Sequence, residues 1–269
     1  MKEKKAKKKK SKRLTLAIII VLIFVIVFSG LFFYIWSYKN VYAIVRGTKI
    51  YYSQLYYEAV KQAEKVNFLG YDPLSSDPKI ENARRMIMDY AEDRVLSERL
   101  YYLMGVKDGF SASDNEIETA FENYKNDITK GSTDPEKDFK DDLKAKGLTE
   151  QGLRGILKNE IIASREKDKL TENINVSESD VREYFNDWGS GYGANGKNNE
   201  QIYKEKYETI KQDALYMKKS DYLDAYSKKL IADNAKYISM DNVYKRFMRW
   251  YYQAFLDLPV PDQYLVDNT

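Results

Sequence analysis

LTLAIIIVLIFVIVFSGLFFYIW, residues 14–36, decides how this chain is laid out, because no charged side chain interrupts it. As a helix rising about 1.5 Å per residue it measures roughly 34 Å, enough to cross the hydrocarbon core of a bilayer. The segment is expected to be a transmembrane helix, with residues 1–13 as a basic tail on one side and the rest of the chain on the other. In that tail Lys2, Lys4, Lys5, Lys7, Lys8, Lys9, Lys10, Lys12 and Arg13 stand against a single Glu3, and the positive-inside rule places it in the cytoplasm. Tyr34, Trp36 and Tyr38 supply the aromatic belt favoured at the far interface. A cleaved signal peptide is the rival reading, since Val41-Tyr42-Ala43 resembles a small-x-small cleavage site. The apolar run exceeds the roughly 7–15 residues of a signal-peptide core, which favours an uncleaved anchor. The expected localisation is the cell membrane, single-pass, with an extracytoplasmic C-terminal part.

The chain carries 44 Lys and Arg against 41 Asp and Glu, a formal net charge of +3. That surplus belongs to the tail: without residues 1–13 the chain is net acidic. An acidic body has no field to hold a polyanion, so nucleic acid is not an expected partner. The lipid bilayer is, through residues 14–36. Cys and His both number 0. Disulfides, thiolate sites and lipid attachment at cysteine are thereby excluded, as are the usual zinc ligands, Ser–His–Asp and Cys–His arrangements and imidazole acid–base chemistry. No cofactor, metal or catalytic residue is expected, and a hydrolase built on Ser–Lys or carboxylates has no supporting motif.

Beyond the anchor, Val41–Val45 and Lys49–Tyr52 flank Arg46-Gly47-Thr48 and read as a strand, a turn and a short strand. Ser53 stands where an N-cap belongs, and Leu55, Ala59, Ala63 and Val66 follow at helical spacing to Gly70. Asp77-Pro78 reads as N-cap and first helical position, starting a helix whose Ile80, Ala83, Ile87, Ala91 and Val95 face one way until Gly105. Ser113 with Glu116 has capping-box form, and Ser177-Glu-Ser-Asp180 reads as a later helix cap. Asp134-Pro135 begins a short helix with Phe139 and Leu143 that ends at Gly147, and Thr149 caps a longer one reaching about Asn173. Gly189-Ser-Gly-Tyr-Gly-Ala-Asn-Gly196 follows a helix. A dinucleotide fingerprint needs a preceding strand, so the stretch is expected to be a linker. Glu200 to Asn234 is one long helical pattern, Lys236-Tyr-Ile-Ser239 a short strand, and Val243 to Leu258 an amphipathic helix with Lys245, Arg246 and Arg249 opposite its apolar face. That last helix either docks on the domain or meets a membrane surface or partner.

Four passages in this order resemble the chaperone domain of the SurA and PrsA family of extracytoplasmic folding factors: Val45–Ile50 before a helix opening Ser53-Gln-Leu; Ala83–Gly105 before Ser113-x-x-Glu-Ile; Leu143–Glu150 with its following helix; and Ile174–Phe185. The expected fold class is mainly α with a small β element: the N-terminal transmembrane helix read from residues 14–36, then, as the resemblance implies, a SurA N-terminal-like helical chaperone domain closed by a long C-terminal helix and a short strand. It implies a lobe over 41–188, completed by 200–239, with the strand near Ala43–Val45 pairing with that near Lys236–Ser239. In such relatives the segment after a Tyr-Phe pair like Tyr184-Phe185 opens a parvulin-type isomerase domain. Here residues 189–199 stand in its place, and residues 240–269 follow the lobe as an amphipathic helix and tail.

The implied function is binding of non-native or newly exported polypeptides without isomerase activity, the alternative being a non-catalytic scaffold for one specific envelope protein. Twenty-four tyrosines, several of them doubled, offer either core packing or adaptable contact area, and Met86, Met88 and Met104 share that ambiguity. The candidate polypeptide-binding residues are Tyr101, Tyr102, Phe139, Leu143, Trp188, Phe247, Trp250 and Tyr251. The acidic groupings Asp89/Glu92/Asp93, Asp138/Asp141/Asp142 and Glu178/Asp180/Glu183 read as solvated faces and helix-start charges rather than metal sites.

Overall fold

The computed structural model describes residues 20–66, 77–192, 198–250, 252–253 and 259. In chain order the elements are α1 (20–36), β1 (Val41–Val45), β2 (Thr48–Tyr51), α2 (Tyr52–Lys65), α3 (Glu81–Lys107), α4 (Asp114–Thr129), α5 (Pro135–Ala145), α6 (Glu150–Thr171), α7 (Glu178–Trp188), α8 (Asn199–Asn234), β3 (Ile238–Ser239) and α9 (Val243–Trp250). They form two compact units, one of residues up to Tyr52 with those from Ile238 on, the other of Ser53–Tyr237.

In the first unit α1 is the described part of the apolar run; residues 14–19 lie outside the described residues. Its apolar side chains are exposed, Ile26 at 69% and Phe33 at 71%. Among the described residues no helix is long and apolar enough to cross a membrane, α1 being described over 20–36 only. The sheet is antiparallel in the order β2-β1-β3. Val45 pairs with Thr48, so Arg46-Gly47 is a two-residue hairpin loop. Both residues have positive φ, 46° and 80°, the turn that matches the twist of the strands and that glycine enters without strain. On the other edge Ile44 and Val45 pair with Ser239 and Ile238.

Asn242 ties α9 to this sheet. Buried at 1% exposure, it donates Nδ2–H to the Val41 carbonyl at 2.9 Å, while its Oδ1 accepts from the backbone N–H of Tyr244 and Lys245 at 2.9 and 3.0 Å. One side chain therefore caps the helix start and satisfies a strand carbonyl that water does not reach.

In the second unit the helix starts follow local chemistry. Ser113, Ser177 and Asn198 form reciprocal capping boxes with Glu116, Asp180 and Gln201, and Asp134 and Thr149 cap α5 and α6. Gly109 and Gly147, at φ 87° and 61°, end α3 and α5. In each, the next amide reaches back to the carbonyl of Gly105 or Leu143 at 2.8 Å, the Schellman closure.

Four expectations shift, the first being that Lys236 and Tyr237 form a tight helical turn with Ala235 rather than part of the last strand, which is Ile238–Ser239. Gly105 does not end α3 but lies buried two residues before its last, because bare backbone is what its contact with α6 requires. Asp77-Pro78 forms a turn before α3, with Asp77 Oδ1 accepting from Lys79 N–H, and the helix starts at Glu81 without a side-chain cap. Ser53 lies inside α2, which starts at Tyr52. Gly70 and most residues beyond Trp250 are outside the described residues.

α3 packs along α6, and α4 packs against both α6 and α5. There Tyr57, Phe121, Phe139, Leu143, Leu153, Ile156 and Leu157 form one buried cluster. A second cluster joins Val181 and Phe185 of α7 to Ile202, Tyr203, Ile210 and Ala214 of α8. Tyr192 folds back onto α8 through a hydrogen bond from its hydroxyl to Asp213 Oδ2 at 2.5 Å. Only residues 189–198 separate α7 from α8, far short of the roughly 50 residues a domain needs.

Candidate functional site

α3 changes character along its length. Its C-terminal half buries Val95, Leu96, Leu100 and Tyr101, whereas its N-terminal half leaves Met86 at 71% and Tyr90 at 50% exposure. Apolar residues occur all round this helix, so the end that α6 does not cover carries its surplus to the surface. With Gln62 of α2 and Val66 just past its end, the residues Ala83, Met86, Ile87 and Tyr90 line a groove of about 570 Å³. Past Tyr90 lies a hollow of about 280 Å³, lined by Asp93, Arg94 and Ser97 of α3 and by Asp224, Ser227, Lys228 and Ile231 of α8. Tyr90 borders both.

The two halves differ in chemistry. The first offers a thioether and branched or aromatic carbon, suited to apolar side chains of varied shape; the second offers hydroxyls and charges of both signs, suited to backbone amides and carbonyls. Behind the second half, Tyr101 directs its hydroxyl at Ser227 Oγ (3.0 Å) and the Leu223 carbonyl (3.2 Å). Its ring stacks on Tyr226, which stacks on Tyr222. Burial pushes the Tyr101 pKa up to about 12, against the pull of Ser227, so the phenol stays a neutral partner.

A line of charges of alternating sign links α2, α3 and α6. Glu160 pairs with Lys61 at 2.8 Å, Lys61 with Glu58 at 3.7 Å, Glu58 with Arg94 at 3.8 Å, Arg94 with Glu98 at 3.1 Å and Glu98 with Lys167 at 2.6 Å. Burial disfavours the Lys61 and Arg94 cations, but the surrounding carboxylates outweigh it and both pKa values rise. Alternating signs let each ion compensate its neighbours, and each of the four inner members keeps two partners of opposite charge.

The expected site residues are scattered. Tyr101 stands behind the groove, and Tyr102 is half-buried with the Arg99 guanidinium 5.4 Å from its ring. Phe139 and Leu143 are interior, Phe139 meeting Phe121 edge to face. Trp188 is 57% exposed at the end of α7. Phe247 is half-buried on α9, the Trp250 side chain is not described, and Tyr251 lies outside the described residues. Val66, Ala83, Met86, Ile87 and Tyr90 were missed as a group. The flagged ambiguity of Met86 was the available signal, because a methionine on a helix with no fixed apolar face belongs to surface as readily as to core. Among the described residues no group of three or more carboxylates is placed to hold a metal ion.

A family model described as the SurA-like N-terminal domain matches residues 4–167, from the basic tail through most of α6. Among curated proteins, the chain is 23% identical over 154 residues to "Foldase protein PrsA" of Clostridium botulinum (strain 657 / Type Ba4), covering 55% of this chain and 43% of that protein. It is 22% identical over 171 residues to the protein of that name from strain Langeland / NCTC 10281 / Type F, covering 61% and 48%. The chain thus spans about half the length of the curated relatives it matches. No solved structure matches it at a significant level. With more than half of its residues inside the family model and the helical unit those residues build now described, the chain belongs to the family of SurA-like N-terminal domains.

Proposed function

We propose that this is a membrane-anchored, extracytoplasmic chaperone-like protein that holds non-native or newly exported polypeptide in the groove along α3, with neither cofactor nor isomerase chemistry. The observation that carries the reading is the exposed set Val66, Met86 and Tyr90, lined with Gln62 of α2 and sharing Tyr90 with a polar hollow. Large apolar side chains held open beside a fixed polar strip suit a client recognised by its unfolded character rather than by one sequence. The family supports a role in polypeptide folding. The short passage 189–198 and the absence of histidine support a role without the isomerase step. The anchor reading rests on the uncharged run 14–36, on its lysine flank, and on the exposed apolar side chains of α1, which lipid would cover.

The test places a photo-crosslinking residue at Met86 or Tyr90 of the full chain in lipid nanodiscs and offers it unfolded clients. Crosslinks to many clients from these positions, none from Lys158 on the exposed side of α6, and a delay in client aggregation are expected. Met86→Ser with Tyr90→Ser removes two side chains worth roughly 1–2 kcal/mol each when buried by a client, so client affinity falls at least tenfold. Equal crosslinking from Lys158, or unchanged client affinity in the double variant, would refute the groove, and capture of a single stoichiometric partner would favour a scaffold instead.

A further inference from the structure

The first unit carries a concentration of positive charge that the helical unit lacks. Its described residues include Lys39, Arg46, Lys49, Lys245, Arg246 and Arg249 against the single acid Asp241, in a chain that is otherwise net acidic once its N-terminal tail is set aside. Two of these cations lie against the aromatic rings at one end of α1. The Lys39 ammonium lies 4.8 Å from the Trp36 ring and that of Lys49 3.6 Å from the Tyr38 ring. The Tyr244 ring of α9 meets Trp36 edge to face at 5.8 Å, and Asn242 locks the start of α9 to β1. The short helix is therefore held one ring away from the aromatic end of the apolar helix.

We infer that α9 is an interfacial helix lying against the bilayer beside the exit of α1, where its cations, with Lys39 and Lys49, engage anionic lipid headgroups. The inference rests on the reading of residues 14–36 as a membrane anchor. If Trp36 sits at the headgroup level, as its place at the end of the run dictates, then Tyr244 sits there too. Arg246 follows two residues later, about 3 Å along the axis, inside the roughly 8 Å over which charge acts at physiological salt. Val243, Phe247 and Met248 are half-buried, leaving apolar surface for the acyl boundary. Lys245 and Arg249 are already held, by the Met240 carbonyl and by Asp241, each at 2.9 Å, whereas the Arg246 side chain remains 66% exposed and 3.6 Å from Asp241. Arg246 and Lys49 thus carry the headgroup contact. Charge complementarity and continuity with the anchor point to a lipid surface rather than to a protein partner.

The absence of cysteine allows a clean measurement on the full chain. Met248→Cys bears one spin label, the protein is reconstituted in vesicles of phosphatidylcholine with or without phosphatidylglycerol, and the label's collisions with lipid-dissolved oxygen and an aqueous nickel chelate are compared. Oxygen is expected to dominate in the anionic vesicles, the preference falling in neutral vesicles and in molar salt. Arg246→Gln and Lys49→Gln should each lower the docked-to-free ratio about fivefold. A chain that floats with the vesicles in high salt while its label stays aqueous in both lipids overturns the inference and leaves the anchor standing. A chain that salt strips from the vesicles overturns both. A label protected only as protein density rises points to a second copy and likewise refutes a lipid contact.

Discussion

Replacing Gly105 by alanine tests how α3 and α6 are held together. A Cβ at that position would stand 2.9 Å from Ile162 Cγ2, 2.9 Å from the Ile162 carbonyl oxygen and 3.5 Å from Glu166 Cβ. The methyl could be relieved by a change in the isoleucine, but the carbonyl belongs to the backbone of α6, so the two helices must part. Overpacking of this kind costs about 1–3 kcal/mol, while alanine returns about 1 kcal/mol of helix propensity. Because one of the two close contacts cannot rotate away, the net is a loss of about 1–2 kcal/mol. Gly155 is the control: within α6 itself, it has nothing within 4 Å of a built Cβ, so Gly155→Ala keeps the propensity gain alone. Urea unfolding of the full chain in nonionic micelles, followed by helical circular dichroism, separates the two. With a slope of about 2–3 kcal/mol per molar, the midpoint falls by about 0.5 M for Gly105→Ala and rises by about 0.3 M for Gly155→Ala. If both variants moved in the same direction, the close approach at Gly105 would not be what fixes the pair.

Asn242→Ala removes the acceptor for two helix-start amides and strands the Val41 carbonyl, at a cost of about 2–3 kcal/mol, read as faster hydrogen exchange at Tyr244 and Lys245 than in an Arg246→Ala control. The Lys218 ammonium, with Ser177, holds Asp180 down to about 2 from its ordinary 3.8. The depressed value makes the tie between α7 and α8 complete above pH 4 and lost as pH falls through 2. Carboxyl NMR should place the midpoint near 2, and Lys218→Met should return it toward 3.8. Glu166 is buried at 2% exposure, and burial, reinforced by the nearby Asp108 charge, raises its pKa above the ordinary 4.5. Its ionised form is therefore disfavoured in the folded chain, and the penalty grows as pH rises above 4.5 until the folded group ionises. Glu166→Gln, whose amide donates to Asp108 as the protonated acid does, should raise the unfolding midpoint at pH 7 and leave it unchanged at pH 4.

What could be read in the sequence was what short-range chemistry decides. A hydroxyl at Ser113 or Ser177 and an acid three residues later fix a helix start whatever the helix packs on, and Arg46-Gly47 closes its hairpin with two left-handed residues and no outside help. Gly105 and Gly109 illustrate the limit. Both are glycines near the end of one apolar pattern, but only Gly109 has the positive φ of a terminator, while Gly105 answers to a helix that starts 45 residues further along the chain. The groove follows the same rule. Ala83 and Ile87 sit in register with Ala91 and Val95, and periodicity assigns all four to one buried face; where α6 stops covering α3 is set by the whole unit. Phe139 and Leu143, chosen as contacts for a client, have apolar partners enough inside the protein.

The pairing of β3 with β1 also orders events in time. The β1–β2 hairpin closes over a two-residue loop as soon as it is made, but Asn242 meets Val41 only across 201 positions of chain, and the ladder from Ile44 and Val45 to Ser239 and Ile238 waits equally long. Local contacts form early and such distant ones late, so the helices of Ser53–Tyr237 have their own partners before the sheet acquires its third strand. During synthesis the outer edge of β1 therefore stays unpaired until Ile238 and Ser239 have emerged, and closure of that edge follows the making of every helix between them.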